Sequence, residues 1–105
     1  MDRQAFAKMR PSAILVNVAR GALVDESALA DALEEGEIAG AALDVLTDEP
    51  MRQDHPLLRI RDSRKLIITP HIAWAPVETR ERLMHEVYEN IEAFLNGESR
   101  NVVEF

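Results

Sequence analysis

The sequence predicts an α/β fold, with about three parallel strands, flanking helices and a long final helix. Three observations carry that expectation. Short apolar runs alternate with helical patterns along the chain, a strand, a helix and a second strand succeed one another within about 30 residues, and the longest amphipathic stripe comes last. A crossover of that size suits a right-handed parallel unit.

In order, Asp2 to Met9 has weak helical character and stops before Pro11, because the residue preceding a proline is driven out of the helical region. Ala13-Ile14-Leu15-Val16-Asn17 reads as a buried strand. Asp25 can cap a helix whose apolar face carries Leu29, Ala32 and Leu33, with Glu26 in its first turn and Gly36 past its end. Ile38 to Leu43 is the second strand. From Thr47 to Lys65 the chain is polar and irregular apart from Pro56-Leu57-Leu58, a long functional loop in which the Glu49-Pro50 step holds Glu49 extended. Leu66 to Ile68 is the third strand. Pro76 suits the first turn of a helix running to about Asn96, with Met84, Val87, Ile91 and Phe94 on one core-facing stripe and Gly97 as its stop.

Composition bounds what such a fold can do. At 105 residues and 47% hydrophobic content, the chain is about one domain with one core, and no repeat or flexible linker divides it. The net charge of −7, with twelve basic residues scattered along the chain, opposes nucleic acid. There is no cysteine, hence no disulfide framework and no sulfur-ligated metal, and no metal site is expected. The apolar stretches are too short to span a bilayer, and Asp2 and Arg3 follow Met1 without an apolar signal core, so a soluble cytoplasmic protein is the expectation.

Arg20, Glu49 and His71 each follow an apolar run, where parallel strands deliver their carboxyl ends to one crevice. Their chemistry is complementary. A guanidinium grips a carboxylate through two parallel hydrogen bonds, and an imidazole delivers a proton near neutral pH. A carboxylate on one imidazole nitrogen fixes the tautomer, favours the charged ring and makes the other nitrogen a proton donor. By residue type alone, Arg20 is also an ordinary loop arginine, Glu49 a solvated carboxylate and His71 a turn residue. His55, beside Pro56, and His85, off the apolar stripe, read as structural, and Trp74 reads equally as a pocket wall or a helix-entry anchor.

Three segments bring in a family. Leu15 to Asp25 (LVNVARGALVD), Leu43 to Pro50 (LDVLTDEP) and Thr69 to Ile72 (TPHI) resemble, in order and with similar spacing, segments of the D-isomer-specific 2-hydroxyacid dehydrogenases, which include glycerate dehydrogenase, hydroxypyruvate reductase and phosphoglycerate dehydrogenase. The resemblance implies the second half of a Rossmann-like NAD(P)-binding domain, with residues 1–105 its carboxyl-terminal part. It implies substrate binding by Arg20, an acidic partner in Glu49 and proton transfer by His71. It also implies a cofactor, NAD or NADP with NAD favoured, lined by Val18, Ala19, Arg20, Asp44, His71 and Ala73. The implied substrate is a small 2-keto or 2-hydroxy acid, and His71-Ile72-Ala73-Trp74 looks most like the glycerate dehydrogenase or hydroxypyruvate reductase branch.

The departure from the family is the pyrophosphate cradle, since none of Gly21, Gly36, Gly40 and Gly97 forms a Gly-rich turn. Family members carry a substrate domain and the first half of the dinucleotide fold upstream, so the chain is expected to be a carboxyl-terminal fragment, inactive alone. A three-stranded sheet would expose an edge and favour a homodimer or other self-association. The alternative is a noncatalytic binding or assembly module derived from the same fold.

Overall fold

The computed structural model describes residues 1–103. It contains α1 (Arg3–Phe6), β1 (Ile14–Asn17), α2 (Glu26–Glu35), β2 (Gly40–Leu43), β3 (Leu66–Ile68) and α3 (Val77–Leu95), with short 3-10 helices at Gly21–Leu23 and Pro56–Arg59. The chain divides into two compact units, Met1–Ile72 and a second that begins at Ala73.

In the first unit the three strands form a parallel sheet in the order β1-β2-β3. Asn17, Leu43 and Ile68 stand side by side in the register, so all three strands end on one row. The helix between β1 and β2 is set by its ends. Asp25 Oδ1 accepts from the amides of Ser27 and Ala28, which have no partner inside the helix, and such a cap contributes about 1 kcal/mol. Gly36, at φ +74°, closes the other end through its amide to the Ala32 carbonyl. Leu29 and Leu33 are fully buried with Phe6, Ile38 and Leu57, each leucine adding roughly 1.5–3 kcal/mol from removal of apolar surface from water.

The structure alters two expectations here, the start of the second strand and the burial of the first. The second strand starts at Gly40, two residues later than expected, because Ile38 fills the core from the turn before it at 1% exposure. The Glu49–Pro50 peptide is cis. The first strand is buried on one face only: Leu15 packs toward the core while Ile14 and Val16 are 65% and 63% exposed, and Ile67 of β3 stands open likewise. Apolar runs signal a strand that can be buried on both faces, but a covering layer has to exist for that burial to occur.

The second unit is built on α3, which starts after Pro76 and ends at Asn96 with Gly97 in the left-handed region, as the stop signals predict. Arg100 folds back on the helix, donating to Asn90 and Glu86, and its hydrogen bond, followed by its charge, holds the Glu86 carboxyl below the usual range. Met84 and Phe94, expected in the core, are exposed, as are Val87 and Ile91. Helical periodicity says which side chains share a face and nothing about what covers it. Among the described residues, no helix is long and apolar enough to cross a membrane.

Candidate functional site at the ends of the strands

Past the row where the strands end, three loops carry the residues the sequence singled out. The loop after β1 is shaped by Asn17, which is buried. Its Oδ1 accepts from the Ala19 amide and its Nδ2 donates to the Arg20 carbonyl, so one side chain folds residues 17–20 into a tight corner. Val18, Ala19 and Arg20 are exposed on that corner. The Arg20 guanidinium donates to the Ala19 carbonyl at 2.7 Å.

The loop after β2 begins with Asp44, whose amide donates to the Asn17 carbonyl and extends the ladder by one bond. Its side chain is buried. Asp44 Oδ1 accepts from the Thr69 hydroxyl at 2.5 Å and from the Ile72 amide at 2.9 Å, while its carbonyl accepts from the His71 amide at 2.9 Å. His71 sits at φ +54°, a region that costs a residue with a Cβ on the order of 1 kcal/mol or more. The three bonds from Asp44 hold residues 69–72 in that conformation.

The bonds from Asp44 aim the ring at Glu49. His71 Nδ1 lies 2.8 Å from Glu49 Oε2, and Glu49 Oε1 accepts from the Leu46 amide at 2.9 Å. An ionised carboxylate only accepts, so Nδ1 carries the proton. The His71 hydrogen bond, followed by the Leu46 amide, holds the Glu49 carboxyl below its ordinary value against a smaller opposing effect of desolvation. Both side chains are well exposed, at 43% and 38%.

The pair stands on a cleft of about 400 Å³ lined also by Asp44, Leu46, Met51, Ile68 and Thr69. Its lining is mostly apolar with a few polar groups, the usual make-up of a small-molecule site. Arg20 is not among the cleft walls. The structure thus brings Glu49 and His71 into contact and connects Arg20 to them through the backbone of Gly21, which lies against the Leu46–Thr47 peptide. Ala73 belongs to the second unit and is exposed.

His55 is buried and structural, as read: Nδ1 accepts from the Leu57 amide to cap the 3-10 helix, and Nε2 bonds Glu26 at 3.1 Å. His85 lies exposed on α3, 3.6 Å from Glu89. Sequence reasoning missed the roles of Asn17 and Glu26. An asparagine closing an apolar run is a usable turn signal, whereas Glu26 is masked by its position, where an acid is ordinary helix chemistry.

Residues 1–73 match the family model described as D-isomer specific 2-hydroxyacid dehydrogenase, NAD binding domain. A glycerate dehydrogenase of Methylorubrum extorquens is 50% identical over 101 residues, covering 96% of this chain and 32% of that protein. A hydroxypyruvate reductase of Blautia hydrogenotrophica is 46% identical over 103 residues, covering 98% and 31%. This chain therefore spans about a third of the length of these relatives. Among solved structures, a D-isomer-specific 2-hydroxyacid dehydrogenase from Xanthobacter autotrophicus in complex with NADPH and MES superposes with a TM-score of 0.69 at 35% identity, covering 96% of this chain and 40% of that one. D-lactate dehydrogenase with NAD+ from Lactobacillus jensenii gives 0.66 at 32% identity, covering 100% and 34%. The fold is that of Rossmann-like dehydrogenases, and the chain belongs to the D-isomer-specific 2-hydroxyacid dehydrogenase family.

Proposed function

We propose that this chain carries the proton-transfer pair and the carboxylate-binding arginine of an oxidoreductase that moves a hydride between NAD(P)H and a small 2-keto or 2-hydroxy acid of the glycerate, hydroxypyruvate or glyoxylate type. The observation that carries the reading is the 2.8 Å contact between His71 and Glu49, with the second Glu49 oxygen tied to the Leu46 amide. The names of the relatives support the substrate class.

In reduction, Glu49 keeps the His71 proton at Nδ1 and balances the ring charge, so the transferable proton is the one on Nε2. That proton passes to the carbonyl oxygen as the keto carbon becomes a hydroxyl-bearing one, and in oxidation His71 takes it back. Arg20 exchanges its bond to the Ala19 carbonyl for the substrate carboxylate, a small loss at an exposed position, about 1 kcal/mol. The backbone of Val18, Ala19 and Arg20, together with Asp44 and His71, would hold the nicotinamide end of NAD or NADP, with NAD favoured. The bound cofactor supplies the hydride.

The four glycines are all engaged elsewhere, Gly36 and Gly97 at helix ends, Gly21 and Gly40 against other backbone, so the phosphate end has no cradle within these residues. The 105-residue chain is accordingly inactive alone in this reading, and a homodimer or other self-association through its exposed sheet edge belongs to the same proposal. In the protein that carries this chain, His71→Ala is expected to lower turnover by ~100-fold or more and Arg20→Ala to act mainly on KM for the keto acid. Unchanged turnover in the His71 variant, assayed with hydroxypyruvate and glyoxylate, would overturn the assignment.

A further inference from the structure

Behind the pair lies a second charged cluster that the reaction does not touch. Glu26, in the first turn of α2, is nine-tenths buried, and both of its oxygens are committed. Oε1 accepts from the Thr47 amide at 2.8 Å and Oε2 meets His55 Nε2 at 3.1 Å. The His55 tautomer follows from its other contact. Nδ1 accepts from the Leu57 amide, so it bears no proton, and the ring donates to Glu26 from Nε2.

The Leu46–Thr47 peptide also lies against Gly21, so close that a Cβ there would fall 2.0 Å from the Leu46 carbonyl carbon and 2.2 Å from the Thr47 nitrogen. Leu46 in turn offers its own amide to Glu49 Oε1. The route is continuous: His55 fixes Glu26, Glu26 and Gly21 fix the 46–47 peptide, Leu46 fixes one Glu49 oxygen, and the other oxygen faces His71.

We propose that Glu26, held by His55, is a positioning residue: by clamping the Leu46–Thr47 peptide against Gly21 it sets the Glu49 carboxylate toward His71. The inference rests on the reading of Glu49 and His71 given above. Gly21 also follows Arg20 directly, so the same clamp fixes the distance between the arginine corner and the acidic loop. A carboxylate placed only to complement the helix dipole would need neither a buried partner nor a bond to a residue 21 positions away.

The test follows the Glu49 carboxyl by carbon NMR through an acid titration of the chain. Its midpoint in the wild type lies below the ordinary carboxylate range because of His71 first and the Leu46 amide second. Glu26→Ala and Glu26→Asp are expected to move that midpoint upward. The aspartate keeps the charge in the first turn and Asp25 keeps the cap, so α2 retains both of its N-terminal supports. Glu26→Gln, which still offers an oxygen to the Thr47 amide, is expected to stay nearer the wild type. A wild-type midpoint in both the alanine and aspartate variants, with the amide spectrum of α2 and the sheet intact, overturns the clamp. His71→Ala separates the two failures: it should raise the midpoint whatever Glu26 does, and if it does not, the pair itself is refuted.

Discussion

Gly21→Ala is the substitution whose cost is most directly worked from the structure. The added Cβ would lie 2.0 Å from the Leu46 carbonyl carbon, where ordinary contact begins at 3.4 Å, so the 46–47 peptide must retreat by about 1.4 Å. The obstacle is backbone, which cannot rotate out of the way as a side chain would. Overpacking of that kind costs about 1–3 kcal/mol. The retreat also pulls the Thr47 amide from Glu26 and the Leu46 amide from Glu49, at about 1 kcal/mol each. A loss of ~3–5 kcal/mol, with a urea slope of about 2 kcal/mol per molar, lowers the unfolding midpoint by roughly 1.5–2.5 M. Gly36→Ala is the control, since Gly36 has a positive φ and nothing within 4 Å, so its alanine bears only the left-handed penalty of about 1 kcal/mol. Urea unfolding followed by circular dichroism compares the two. If Gly21→Ala is no more damaging than Gly36→Ala, the close approach of the two loops is wrong, and with it the link from Arg20 to Glu49.

Two further outcomes are expected. Light scattering should find the chain self-associated, its exposed Ile14, Val16 and Ile67 being shielded in the process, and a monodisperse species of 11.8 kDa would refute this. Asp62, bonded first by the Arg64 guanidinium and then by the Arg64 amide, should titrate at about 2 instead of 3.8. Because its folded value lies below its unfolded one, its contribution to stability is present above about pH 4 and disappears as the pH falls toward 2. Asp62→Asn should remove that part of the acid dependence, and an ordinary midpoint would show that the bond to Arg64 does not persist in solution.

Local signals were legible in proportion to how local their physics is. The Asp25 cap, the Gly36 stop, the buried face of Leu29 and Leu33, and the limits of α3 all follow from a few neighbouring residues, and the structure matches them closely. Burial was harder to read. Val16, Ile67, Met84 and Phe94 have apolar side chains in good register, yet exposure depends on a covering surface that no local pattern encodes. The site divides in the same way. Residue type and position after a strand pointed to Glu49 and His71, but their contact spans 22 positions and relies on a left-handed backbone at His71 that Asp44 imposes from another loop. Glu26 was illegible beyond its helix because its sequence position already had a sufficient ordinary explanation, and its burial against His55 is set by the fold.

The row formed by Asn17, Leu43 and Ile68 has a consequence for how far this architecture can drift. All three loops spring from that crossbar, so any misalignment of one strand against its neighbour is passed on undiminished to the residue at the loop's tip. A slip of one residue translates a loop by about 3.3 Å and turns its first side chain to the opposite face. That distance exceeds the 2.8 Å that separates His71 from Glu49. The alignment of β2 with β3 is therefore a fixed gauge, and a chain that paired these strands one notch out could stay folded and still have lost the contact between His71 and Glu49.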